Sequence, residues 1–234
     1  FAQIYKDPNV SVEKRVSDLL SRMTLEEKVW QLNQAGFGNN RNINNIGEKL
    51  KHIPPQIGSL IYTDEDVTLR NAMQRKAMEE SRLGIPILFG YDVIHGYRTV
   101  YPISLGQACS WNTGMGREAA YEAEAGGIYW TFSPMIDVAR DPRWGRVSEG
   151  YGEDPYANAR FAVAAVEGYQ GNDLSADGNI ASCLKHYIGY GASTGGRDYS
   201  CTDISDQALW DTYMPPYRAG VEAGAATVMS SFND

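Results

Sequence analysis

The sequence predicts an α/β chain built on parallel strands, and three observations predict it. Nearly continuous apolar runs recur along the 234 residues, charged or capped helical segments lie between them, and polar residues collect where the runs end. A run that is apolar throughout, not alternating, fits a strand covered on both faces. Strand–helix–strand repetition means βαβ units.

The elements follow in order. Thr24-Leu25-Glu26-Glu27 is a capping box that opens a helix near the N-terminus. Ile57–Tyr62 reads as a strand, and the charged, periodic stretch Asp64 to Leu83 as a helix. Ile85–Asp92 is the next strand, and Ile103–Ser110 a candidate sixth. Thr113 to Gly127 is helical, with two glycines near its start. Trp130–Asp137 is a strand, followed by a turn-rich segment with Arg140, Arg143, Trp144 and Arg146. Asp154-Pro155 supplies an N-cap and a first-turn proline to a helix that Gly168 or Gly171 closes. Ile180–His186 is a strand. Ser205 caps a helix with Ile204 and Leu209 as its staple pair, and Pro215-Pro216 must break or kink it. Ala226–Phe232 is the last strand.

The strand ends Tyr62, Asp92, Asp137, His186 and Phe232 are spaced by 30, 45, 49 and 46 residues. At that spacing the chain holds about five or six of the eight units of a (β/α)8 TIM barrel, which typically takes roughly 250 residues and can exceed 400. The expectation is an incomplete barrel; the alternative is a compact open α/β sheet that ends naturally.

Composition narrows the function. The formal charge of −8 argues against nucleic acid, which wants a basic stripe. Cys109, Cys183 and Cys201 have no CxxC spacing, so no metal or redox cofactor is expected. Cys109 and Cys183 read as small buried hydrophobes. No membrane span is expected, because no run of 18 apolar residues occurs, and no signal-peptide pattern stands at the start. The 15 Tyr and 5 Trp mostly serve packing, with a minority left to line a carbohydrate cleft.

In a parallel barrel, polar strand ends converge at one mouth. Asp92, Asp137 with Arg140, Lys185-His186, the segment Met229 to Phe232, and Tyr62 stand at such ends. Each has an ordinary structural role available, such as a turn-forming Asp. Arg143 and Arg146 are better read as structural partners of Glu149, Glu153 or Asp154. The functional case rests on coincidence at equivalent places. Lys185 beside His186 is the sharpest feature: neighbours on a regular strand face opposite sides, so both reach one ligand only if the backbone departs from regularity there. Arginine forks, a flat aromatic, a Lys and a His donor and the Asp92 carboxylate suit a hydroxyl-rich ligand, a sugar.

The chain closely resembles glycoside hydrolase family 3, in its β-glucosidase branch. The motifs are Met23–Lys28, Arg82–Pro86, Gly90–Gly96 with Arg98, Val138–Arg146, Glu149–Pro155, Leu184–Gly191, Gly196–Tyr199 and Val228–Asn233, in the family's order. The resemblance implies a retaining, exo-acting hydrolase that releases glucose from the non-reducing end of β-D-glucosides or oligosaccharides through a covalent glycosyl-enzyme. It places −1 subsite residues on Asp92, Arg98, Arg140, Lys185 and His186, with Met229 and Phe232 lining the pocket. The family nucleophile is the Asp of a Ser-Asp-Trp motif following the Phe-Asn-Asp segment, and the acid/base Glu usually lies on a later domain. The two carboxyl groups of a retaining enzyme sit about 5–5.5 Å apart. Neither is expected within these residues. Residues 1–234 are therefore expected to form the N-terminal portion of the barrel, with the rest of the barrel and a C-terminal α/β sandwich supplied by further polypeptide. The segment 113–127 looks about one helical turn shorter than in relatives.

A β-N-acetylglucosaminidase is disfavoured, since Tyr190 stands where those relatives carry a second His and no Asp-Ser-His follows. β-Xylosidase and β-glucan exohydrolase activity stay open, as does a non-catalytic sugar-binding barrel. The resemblance also implies a periplasmic or extracellular location and leaves a homodimer open.

Overall fold

A computed structural model describes residues 3–37, 46–62, 66–113 and 116–233. The chain divides into two compact units, Phe1–Phe89 and Gly90–Asp234.

The first unit holds a 3-10 turn at Ile4–Lys6, α1 (Val12–Arg22), α2 (Leu25–Gln31), β1 (Gln34–Phe37), α3 (Ile46–Lys51), β2 (Ser59–Tyr62) and α4 (Val67–Glu80); β3 (Leu88–Tyr91) straddles the boundary. The capping box of α2 forms in full: the Glu27 N–H donates to Thr24 Oγ1 at 3.2 Å and the Thr24 N–H to Glu27 Oε2 at 2.8 Å. The helix predicted from residue 64 begins at Val67, because Asp66 takes the free N–H groups of Thr68 and Leu69; residues 64 and 65 lie outside the described ones. β1 went unpredicted, since Gln-Ala-Gly-Phe has no apolar run; it is a strand through parallel pairing with β2, Gln34 beside Ser59 to Phe37 beside Tyr62. Tyr62 is not a mouth residue. It shares the buried side of β2 with Leu60, packs edge-on against Phe89 at 5.2 Å and donates to the Asp66 carbonyl.

The second unit carries α5 (Ser104–Ser110), α6 (Gly116–Ala125), β4 (Trp130–Thr131), α7 (Pro155–Gln170), β5 (Cys183–Tyr187), α8 (Asp206–Ala208), a π-helical turn Leu209–Tyr213, α9 (Met214–Glu222) and β6 (Thr227–Ser230). β3 pairs with β4 and β5 with β6, both in parallel. Ser104–Ser110 is a helix that follows Ile103 as its N-cap, not a sixth strand. The run contains Leu, Gln and Ala with a single β-branched residue, and Gln107 turns back to donate to the Pro102 carbonyl at 2.7 Å. Cys109 is correspondingly exposed, whereas Cys183 is buried as expected. The strand predicted over Trp130–Asp137 keeps regular geometry only at Trp130–Thr131 before the Ser133–Pro134 peptide, which is cis. α7 has its Asp154 cap (Ala157 N–H to Oδ1, 2.6 Å) and closes at Gly171, whose φ of +57° favours glycine. Pro215 and Pro216 do not end their helix, but the regular α-helix gives way to the π-helical turn Leu209–Tyr213 just before them. They stand in the first turn of α9, where missing N–H groups cost least, and the widened turn before them absorbs the mismatch.

The core of this unit joins Ile136, Tyr151, Phe161, Ala162, Val166, Leu184 and Tyr217. Tyr151 and Phe161 stack at 4.6 Å. α9 approaches β5 closely at Gly220, where a Cβ would lie 2.7 Å from the Leu184 side chain.

Candidate functional site

All seven substrate-binding candidates lie in the second unit. Asp92 follows β3 directly. Its neighbour Val93 is pinned on both sides: the Val93 N–H donates to Thr131 Oγ1 at 3.1 Å, and Tyr169 OH donates to the Val93 carbonyl at 2.6 Å. Burial pushes the Tyr169 phenol up to about 12, so it stays a donor throughout the physiological range.

Lys185 and His186 sit where the ladder between β5 and β6 is irregular. Leu184 pairs with Val228 and Tyr187 with Ser230, so two residues of β5 oppose Met229 alone. This is a β-bulge, a device that re-aims side chains, and the Lys185–His186 peptide is cis. The departure from strand geometry that the sequence required is present.

Lys185 Nζ meets Asp92 Oδ1 at 2.7 Å. The Lys185 side chain is 4% exposed and that of Asp92 51%. The ammonium is therefore held inside while the carboxylate stays open for further donors. His186, the next residue of β5, is held by Asp137. Its backbone N–H and Nδ1 both reach Asp137 Oδ2, at 3.0 and 2.8 Å, and Tyr217 OH donates to Asp137 Oδ1 at 3.1 Å. Burial beside the Asp137 carboxylate drives the Tyr217 phenol well above its ordinary value.

Aromatic rings flank His186. Tyr190 lies at 5.1 Å and Phe232 at 5.0 Å, and Tyr199 packs against Phe232 at 5.3 Å. Phe232 and Tyr199 are both exposed. The Arg146 guanidinium sits 5.5 Å from the Tyr190 ring and 5.8 Å from Phe232. It is held by a bidentate pair with Glu149 at 2.7 and 2.8 Å, as the structural reading of Arg146 expected. Burial would raise the Glu149 carboxyl, but Arg146, assisted by the charge of Lys185, holds it below its ordinary value. Glu149 thus belongs to the electrostatic surroundings of Lys185, a role its sequence position as an ion-pair partner did not reveal. Arg143 pairs with Asp141 at 2.6 Å, not with the acids 149, 153 or 154.

Trp144 is not a sugar platform. It is 2% exposed, meets Tyr190 edge-on at 5.1 Å and spends its Nε1–H on Asp198 at 3.0 Å. A flat ring in a turn-rich segment looked available for stacking; here Met135, Ala139 and Tyr190 enclose it. Asp198 also accepts from Tyr190 OH. Burial pushes Asp198 up, and these two donors outweigh it and hold the carboxyl low; Tyr190, in turn, is pushed up to about 12.

Arg140 is placed by its backbone N–H, which donates to the Gly191 carbonyl at 3.3 Å, one residue beyond Tyr190. Its guanidinium reaches Tyr213 on the π-helical turn: burial raises that phenol, and the charge and hydrogen bond of Arg140 oppose the rise. Met229 is half-buried opposite the bulge. Arg98 stands apart. It is exposed, and its backbone N–H donates to Glu122 at 3.2 Å beside two bonds from Thr99. The structure therefore brings together Asp92, Lys185, His186, Phe232 and Met229 through direct contact or adjacency and joins Arg140 through Gly191.

Each carboxylate gathered here has a partner: Asp92 has Lys185, Asp137 has His186 and Tyr217, Glu149 has Arg146, and Asp198 has Tyr190 and Trp144. Among the described residues no group of His, Cys, Asp and Glu is placed to hold a metal ion, and no helix is long and apolar enough to cross a membrane.

Residues 24–234 match the glycosyl hydrolase family 3 N terminal domain. The chain belongs to this family. It is 43% identical over 222 residues, 93% of its length, to a periplasmic beta-glucosidase of Salmonella typhimurium, of which it covers 29%. It is 32% identical over 98% of its length to a putative beta-xylosidase of Formosa agariphila, covering 34% of that protein. A mutant beta-glucosidase from Listeria innocua in complex with laminaribiose superposes with a TM-score of 0.87 at 38% identity, over 96% of this chain and 33% of that one. The chain spans about a third of the length of these relatives. Its fold class is the α/β, TIM-barrel type of the family 3 β-glucosidases.

Proposed function

We propose that this chain forms the N-terminal part of the barrel domain of a retaining, exo-acting β-glucosidase and supplies the clamp that holds the terminal glucose. The observation that carries the proposal is the Lys185–Asp92 pair: a buried ammonium fixes one oxygen of a carboxylate that remains half exposed. A carboxylate so placed accepts two neighbouring hydroxyls in charge-assisted bonds. His186 and Arg140 add ring and guanidinium nitrogens, Met229 and Phe232 an apolar wall, and Arg98 a further cation on the loop after Asp92. The names of the Salmonella and Listeria relatives support a glucoside as substrate, and the Salmonella name supports a periplasmic setting.

In a retaining reaction a carboxylate attacks the anomeric carbon while a second carboxylic acid protonates the leaving oxygen and then activates water. We place both groups on polypeptide beyond these residues, because no Ser-Asp-Trp motif stands among residues 1–234. The residues described here bind and orient the ring, and hydroxyl contacts that tighten as the oxocarbenium-like state develops lower the barrier. In the full-length protein, Asp92→Ala is expected to lower kcat/KM on an aryl β-glucoside by about 100-fold or more. A loss below about tenfold with an intact fold overturns the clamp role.

The Formosa relative makes a β-xylosidase the second reading. Steady-state kinetics of the full-length protein on aryl β-glucoside and aryl β-xyloside separate the two: a kcat/KM ratio favouring the xyloside replaces the first reading with the second. Binding of glucose without turnover of either substrate replaces both with a non-catalytic sugar-binding barrel.

A further inference from the structure

We infer that Asp137 is the positioning residue of His186, and that Tyr217 holds Asp137 in place for that task; the inference rests on His186 contacting the sugar as proposed above.

The geometry is specific. One oxygen, Asp137 Oδ2, accepts from both the backbone N–H and the Nδ1 of the same histidine, so chain and ring are locked by a single acceptor. The other oxygen takes Tyr217 OH, and the carboxylate is thereby bound on both sides. Neither member of the pair is free to relax: the side chains of His186 and Asp137 are 1% and 0% exposed. Tyr190 and Phe232 flank the ring at 5.1 and 5.0 Å and limit its rotation.

The chemistry follows from the acceptor. A carboxylate oxygen beside Nδ1 requires the proton on Nδ1, which fixes the tautomer and leaves Nε2 as the ring atom for a ligand. Without Asp137 the ring could turn over or carry its proton on Nε2, and the group offered to the sugar would change from acceptor to donor. The bulge makes this clamp necessary. Two residues facing one leave His186 without a regular ladder partner on β6, and Asp137 takes the N–H that the ladder does not. Asp137 does not need to touch the sugar to do this.

The test is a double-mutant cycle in the full-length protein, read on an aryl β-glucoside with thermal denaturation in parallel. Asp137→Asn keeps the shape and removes the charge that selects the tautomer. We expect kcat to fall by about tenfold or more, with KM changing less than about threefold. In a His186→Ala background the same change should cost less than about threefold, because the group it positions is gone. Tyr217→Phe keeps the packed ring and loses only the hydroxyl. It should show the same pattern at smaller amplitude and carries the test if Asp137→Asn does not fold. Additive effects in either cycle overturn the inference. If His186→Ala itself leaves kcat/KM unchanged, the clamp reading of His186 has failed, whereas a large His186→Ala effect with additive partners leaves that reading standing and removes only Asp137.

Discussion

Gly191 shows how one residue fixes a site it does not belong to. A Cβ there would lie 2.3 Å from the Val138 carbonyl oxygen and 3.3 Å from the Ala139 nitrogen, both backbone atoms that cannot step aside. The same glycine accepts the Arg140 N–H. Gly191→Ala is expected to destabilise the protein by about 2 kcal/mol or more, measured by denaturant unfolding. It should also weaken sugar affinity, because the chain that presents Arg140 must move. Single residues were legible in the sequence where their chemistry is restrictive. Lys185 next to His186 implied a broken strand, since the period of two leaves no other way to point both at one ligand. Trp144 was misread for the complementary reason: a tryptophan in a polar turn gives no sign of whether its faces are covered, and here only tertiary packing decides. Asp137 was visible as a strand end, but its link to His186 joins residues 49 positions apart, and no local pattern carries that.

The elements followed the sequence best where capping groups are local. Thr24, Asp154 and Ser205 all cap the helices they were read to cap, because donor and acceptor lie within three residues. Thr24→Ala should cost about 1 kcal/mol in thermal or denaturant unfolding. At the same helix start, Arg82 holds Glu27 down to about 2 with bonds of 2.6 and 2.9 Å. A carboxyl lowered by folding contributes stability that is present above its unfolded value near 4.5 and fades as pH falls toward 2. The Tm difference between the protein and Arg82→Ala is therefore expected to be constant above about pH 5 and to vanish near pH 2, and to be small throughout because the pair is exposed. A difference that persists at pH 2 would assign the effect to packing of the Arg82 stem. Strands were less legible than helices. β1 has no apolar run of its own, and the sequence stretch 103–110 has apolar content that either element could use.

For the whole molecule, the polar strand ends Asp92 and Lys185, and Asp137 and His186, meet in pairs, whereas Tyr62 is buried in β2. The proposal divides labour along the polypeptide: grip here, bond cleavage elsewhere. Residues 1–234 alone are expected to show no hydrolysis of an aryl β-glucoside. Clear turnover by the purified fragment, free of contaminating glycosidase, would place the nucleophile among the residues described here and overturn that division. At this scale too, the loop that carries Arg98 is anchored to Glu122 on α6.

The two-against-one pairing opposite Met229 sets regular architecture against ligand recognition. Deleting either Lys185 or His186 would let β5 and β6 zip together without interruption, gaining a straight sheet and forfeiting half of a neighbouring pair of polar groups. A screen that rewards heat resistance alone should drift toward that shorter strand, and one that rewards turnover should never keep it.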